Sequence, residues 1–160
     1  MSINAQHFRD YVVRPTLEYL DEADPGINSP AAEELLMLTA AVESNLGEYL
    51  HQVGGGPAQG PFQVEPNTEV LIREWLERRP HLSDLGTHVT VLHNPLFKEA
   101  SLIYNCALAR CLYRSIFVPL PNSTDVKGMA EYHLRWFNNG GKSEVEKTIE
   151  AYERLVLDGS

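Results

Sequence analysis

The chain has 160 residues and a formal charge of −9, enough for one domain (1–160) that buries about 70% of the surface its unfolded form exposes. The acidic balance excludes a general phosphate-backbone binder, which needs a basic face, so no nucleic-acid partner is expected. It also argues against electrostatic adhesion to anionic envelopes, and no stretch approaches the roughly 18 apolar residues of a membrane span.

The opening MSINAQHFRDYVV has neither a basic start with an apolar run nor a small-residue cleavage site, so no signal peptide is expected. Phe8, Tyr11, Val12, Leu17 and Leu20 recur at three-to-four spacing and predict a helix from Ile3 to Leu20, interrupted at Pro15. Pro25-Gly26 marks a loop. Ser29-Pro30 then gives a hydroxyl cap with proline at the first helical position, followed by Glu33 and Glu34 at the positive end of the dipole. The run LLMLTAAV has no polar face, so this helix is expected to be buried on all sides and to end near Leu46-Gly47.

Gly54 to Pro57 excludes regular structure, the glycines allowing a tight turn. Asn67 is the expected cap of a helix through Trp75 to about Arg78, stopped by Pro80. Val89-Thr90-Val91 alternates like a short strand. Asn94-Pro95 repeats the cap-then-proline signal and predicts a long helix to Ile116. Within it Arg110 is expected to pair with a buried acid. Cys106 and Cys111, five apart, fall on different sides and read as reduced, buried hydrophobes. Val118-Pro119-Leu120-Pro121 is an extended link. Thr124 or Asp125 starts a helix through Tyr132 and Trp136, ending near Asn138-Asn139-Gly140-Gly141, and Ser143 to Glu146 has capping-box spacing before a last helix. The class is mainly α: about six helices, a glycine-rich loop and little or no strand.

Chemistry concentrates at one carboxylate. Glu43 leaves the end of the apolar helix, where desolvation and the negative helix terminus both disfavour its ionised form, as a general acid requires. The plain alternative is a glutamate that turns outward as the helix surfaces. His51 reads as a loop-surface histidine, and His81, His88 and His93 are too irregularly spaced for a metal site. No metal and no cofactor are expected.

Glu43-Ser44 at the end of a buried helix, a glycine-rich turn, and then Gly60-Pro61-Phe62-Gln63-Val64-Glu65-Pro66 resemble the lysozyme-like fold of soluble lytic transglycosylases and goose-type lysozymes. Trp136-Phe137-Asn138-Asn139-Gly140-Gly141 is similar to that family's aromatic-Asn pair followed by glycines, and the chain from roughly residue 8 to 155 looks like a tailed-bacteriophage muralytic protein. The resemblance implies that Glu43 is the catalytic acid and that Gln63 faces the sugar. It implies substrate contacts from Ser44, Gln59, Gln63, Tyr104, Tyr132 and Asn138, with peptidoglycan glycan strands as the partner. Phe137 departs from the usual tyrosine, so Tyr132 or Tyr104 is the candidate replacement for its hydroxyl. Pro61-Phe62 replaces a common Leu-Met pair.

The implied reaction is lytic transglycosylase-type cleavage of the MurNAc-GlcNAc β-1,4 bond. Two-carboxylate hydrolysis needs a second acid about 5 to 9.5 Å away, and Glu48, Glu65 and Asp84 lie on no matching motif. Such a protein is made in the host cytoplasm without a signal peptide. It acts as an endolysin reaching the wall through a holin lesion, or is carried in the virion. The alternative is a catalytically weak or inactive lysozyme-fold protein that binds glycan or serves as a virion structural protein.

Overall fold

The computed structural model describes residues 2–138 and 143–159. Seven helices make up 64% of it, and one apolar cluster draws residues from all seven. Among the described residues there is no sheet, only isolated bridges from His51 to Gln59 and from Gln59 to Val64. No helix among them is long and apolar enough to cross a membrane.

Helix α1 spans residues 5–21 and is not broken at Pro15. Proline offers no N–H to the helical ladder. The turn before it widens to π geometry over Arg9–Val13, with the Arg14 N–H reaching the Arg9 carbonyl. Helix α2, Pro30–Ser44, begins as expected, the Ser29 hydroxyl accepting the Ala32 N–H at 3.0 Å. It is surrounded by α1 and by α5, α6 and α7 defined below, so a helix with no polar face is the stable choice. Its cap differs from expectation. Asn45 (φ 50°) takes the left-handed position rather than Gly47, and Leu46 (φ 53°) extends the turn. The Leu46 N–H closes back on the Ala40 carbonyl at 3.0 Å, and burial of the Leu46 side chain holds the turn.

Helix α3 is Pro66–Glu77, capped at Glu65 rather than Asn67 because Pro66 already has the φ of a first helical residue. Helix α4, Ser83–Leu92, contains Val89-Thr90-Val91, so the expected strand is a helix. The hydroxyls of Thr87 and Thr90 donate to the carbonyls of Ser83 and Gly86 one turn back, while Leu85 and Val89, four apart, are buried on one face of the helix. Helix α5 is Leu102–Ser115 and starts well after Asn94-Pro95. Asn94 instead closes a turn by accepting the Leu96 N–H, and Ser101 supplies the cap by accepting the Tyr104 N–H at 3.3 Å. Helix α6 covers residues 126–138, capped by Asp125, and relaxes to π geometry over Leu134–Asn138. Helix α7 covers residues 143–157. Asn139, Gly140 and Gly141, expected to end α6, and the capping side chain of Ser143 lie outside the described residues.

Both cysteines are free and buried, and burial pushes each thiol up to about 12. Arg110 is buried and, among the described residues, makes no ion pair with the expected acid. Its Nε donates to the Ile27 carbonyl at 2.8 Å, and its Nη1 has no hydrogen bond among the described residues. Burial lowers its pKa from the ordinary value.

Candidate active site

The end of α2, the loop after it, the start of α3 and the end of α6 enclose an open cleft of about 630 Å³, within the size range of small-molecule sites. Glu43, Gln63 and Asn138 all line it, with Tyr49, Glu65 and Phe137. Three of the expected site residues are therefore brought to one groove from three separate parts of the chain.

Glu43 is placed by the rigid α2 and left only 14% exposed. It is not turned out into solvent. Its Oε1 accepts the Asn138 side-chain N–H at 3.0 Å. The π turn at the end of α6 carries Asn138, and such widened turns often serve to aim a side chain at a site. His133 Nε2 lies 3.0 Å from the same oxygen without the alignment of a hydrogen bond. Behind it, His133 Nδ1 is 3.0 Å from the Tyr113 hydroxyl, which is 2.8 Å from Thr39 Oγ1. Burial holds the Tyr113 phenol well above its usual range; the Thr39 hydrogen bond opposes this and the Glu43 charge adds to it. Tyr113 is accordingly a hydroxyl at any working pH. Phe137 stacks on the His133 ring at 5.2 Å.

The opposite wall depends on a close approach. Gly60 (φ 73°) sits against Asn105 of α5, where a Cβ would come within 2.4 Å of the Asn105 side chain, so only glycine fits. Three residues later Gln63 takes φ 50°, held by its own Nε2 donating to the Gly60 carbonyl at 2.8 Å. Asn45 and Gln63, two of the three non-glycine residues with positive φ among those described, both line the cleft. Strained backbone of this kind collects at functional sites.

Ser44 does not line the cleft. Its buried hydroxyl donates to the Pro61 carbonyl at 2.6 Å and accepts the Gly47 N–H at 2.8 Å, tying the end of α2 to the opposite wall. Ser44→Ala should cost about 1–3 kcal/mol, since it leaves a buried donor and acceptor unpaired. Urea unfolding checks this; a loss under about 0.5 kcal/mol counts against the tie.

Gln59, Tyr104 and Tyr132 are likewise outside the lining. Gln59 donates toward Glu99, which also holds His51 at 3.0 Å. The Tyr104 hydroxyl donates to Glu69 at 2.7 Å and that of Tyr132 to the Val118 carbonyl at 2.8 Å, both within the core. Neither replaces the hydroxyl missing at Phe137. The Tyr113 hydroxyl lies behind His133, which separates it from the acid.

Three residues escaped the sequence reading, Tyr49, Thr68 and His133, whereas Glu65 is one of the second acids it weighs. Tyr49, 42% exposed, offers the cleft an aromatic face of the kind that stacks on sugar rings. Glu65 places a second carboxylate on the cleft wall, and Thr68 lies one turn on. His133 stands four residues before Phe137, one helical turn away, and that spacing was the available signal. No family model, no curated protein and no solved structure matches the chain.

Proposed function

We propose that the protein cleaves peptidoglycan glycan strands at the MurNAc-GlcNAc β-1,4 bond by lytic transglycosylation, on a lysozyme-like single domain, with Glu43 as general acid and then base. The observation that carries this reading is a single poorly exposed carboxyl, clamped by Asn138 at the edge of a sugar-sized cleft walled by Gln63. Glu43 gives its proton to the glycosidic oxygen as the C1–O4 bond breaks. The resulting carboxylate takes the proton of the muramyl 6-hydroxyl as O6 bonds to C1. The products are a 1,6-anhydro end and a free 4-hydroxyl, and no water is consumed. The setting is a phage lysis protein or a virion-carried one, with a membrane lesion or the particle giving access to the wall, and the acidic charge fits the virion-carried version better.

Glu65 favours a second reading, hydrolysis, because it lies on the same cleft and could activate water. Digestion of purified walls followed by mass spectrometry separates the two. Transglycosylation gives 1,6-anhydro ends, and Glu65→Gln should retain activity within about fivefold of wild type. Reducing ends, together with a loss of roughly 10²-fold in Glu65→Gln, would transfer the assignment to hydrolysis. Calorimetric binding of chitooligosaccharide with no product would leave a glycan-binding or virion structural protein.

A further inference from the structure

Outside the cleft, aromatic side chains gather where the link after α5 crosses the end of α6. Ile116 and Val118 in that link pack on the core, while Phe117 between them is 90% exposed. An extended chain alternates its side chains in this way, so position 117 faces solvent whatever residue stands there. Burial is therefore not the reason for a phenylalanine. Nor is the segment loose: the Tyr132 hydroxyl donates to the Val118 carbonyl at 2.8 Å, and Pro119 follows with its fixed φ.

Phe117 is also not a lone apolar residue, which would need no explanation. Trp136 of α6 meets it edge to face at 6.4 Å and rests in turn against Tyr132 at 6.4 Å. Arg135 lies over the Trp136 ring at 4.7 Å. Glu131, one turn earlier, is 3.9 Å from Lys127 instead, and Arg135 makes no ion pair among the described residues.

The patch continues the cleft. Leu112 and Phe137 both line the cleft. Trp136 immediately precedes Phe137, and the Phe117 Cα, five residues after Leu112, is within about 13 Å of the Leu112 Cα. A strand that leaves the cleft past these two residues meets Phe117 and Arg135 next. The chemistry matches such a strand. A pyranose ring offers a face of C–H groups to the negative face of an aromatic ring. The stem peptide on each muramyl unit offers carboxylates, which a guanidinium binds through charge-assisted hydrogen bonds.

We propose that Phe117 and Arg135, backed by Trp136, form a subsite beyond the cleft that holds the continuing glycan strand, Phe117 stacking on a sugar ring and Arg135 pairing with a stem-peptide carboxylate. The choice of ligand rests on the glycan-cleaving reading above. The subsite selects long, peptide-bearing strands over short fragments, because only a strand that overruns the cleft gains the added contacts. Those contacts lie away from the broken bond and are equal in the bound and transition states, so they lower KM and leave kcat alone.

The test compares long soluble strands, freed from purified walls by an endopeptidase, with tetrasaccharide fragments of the same strands. Phe117→Ala should raise KM on the long strands by about threefold to tenfold. Arg135→Gln should raise it by about threefold at low salt, an effect lost near about 1 M NaCl. Neither should shift KM on the tetrasaccharide. Both side chains are exposed, so both variants should keep the wild-type circular dichroism spectrum. An equal change on long and short substrates, a change in kcat alone, or no change overturns the proposal. A binding arm needs no turnover. In Trp75→Phe the one remaining tryptophan is Trp136, and long strands should shift its emission where tetrasaccharides do not. Adding Phe117→Ala should abolish that shift; a shift that persists counts against the subsite. A sedimenting dimer that Phe117→Ala dissociates would give the patch to a second copy of the chain and overturn the proposal. Wall cleavage by wild type with neither the KM nor the emission response sinks the subsite alone. A Phe117-dependent emission response in a protein that cleaves no wall sinks the transglycosylase reading alone.

Discussion

Glu43→Gln is expected to lower wall cleavage by about 10³-fold, within the range that a positioned general acid-base contributes. The substitution keeps volume and shape, so the cleft should persist. The amide carbonyl can still accept the Asn138 N–H, which holds Oε1 at 3.0 Å in the wild type. What it cannot do is release a proton to the leaving oxygen or recover one from the attacking hydroxyl. Both half-reactions fail together, which is why the loss should appear in kcat with KM nearly unchanged. Stability should move by less than about 1 kcal/mol, because volume and the Asn138 hydrogen bond are both kept. Turbidity loss of purified walls and a urea melt on the same preparation measure both. A folded Glu43→Gln protein with wild-type clearing ends the assignment of this residue.

Glu43 was legible because its helix declares itself twice, by Ser29-Pro30 at one end and by an apolar run that could only be buried. A carboxylate at the far end of such a run has few ways to stay solvated. The same local grammar failed at Asn94-Pro95. There a later serine, Ser101, captures the Tyr104 N–H in the first turn of α5, and nothing in the six-residue neighbourhood distinguishes a cap from a turn closed by an asparagine. Val89-Thr90-Val91 misled for a related reason: alternation over three residues is too short to outweigh the burial of Leu85 and Val89 on one helical face. Tyr104 and Tyr132 were attractive as sugar-binding aromatics, yet the ring of each is worth more inside, with its hydroxyl given a buried acceptor. His133 and Tyr49 needed tertiary knowledge. Only when α6 is seen to pack against α2 does a buried histidine become the neighbour of an acid far away in sequence.

Replacing Glu69 by alanine should destabilise the fold by about 2–4 kcal/mol, toward the lower part of the range for breaking a buried charge pair. Glu69 is 8% exposed on α3. Its carboxylate accepts the Tyr104 hydroxyl at 2.7 Å and lies 3.0 Å from Lys98 Nζ and 3.6 Å from Arg73 Nε. Arg73 also donates to the Tyr104 oxygen at 2.8 Å. Removing the acid leaves a buried phenol hydroxyl without an acceptor and two cations facing each other. Lys98 and Arg73 remain 31% and 27% exposed, so water recovers part of the loss and keeps the cost below that of a sealed pair. Burial alone would raise the Glu69 carboxyl, but the Tyr104 and Lys98 hydrogen bonds and the charges of Lys98 and Arg73 outweigh it, and the group sits below its ordinary 4.5. A carboxyl depressed in the folded state stabilises fully above its unfolded value and loses that contribution as pH falls through the folded one. The gap between wild type and Glu69→Ala in urea unfolding should therefore be widest at neutral pH and close in acid below 4.5, while Glu69→Gln, which keeps the Tyr104 bond, should lie between them. A gap that stays constant from neutral pH into acid would mean that Glu69 contributes packing and not charge. Because α3 begins at the cleft wall with Glu65 and Thr68 nearby, slackening its tie to α5 should also reduce wall cleavage by about threefold to tenfold, the rough price of a wall that no longer holds one position.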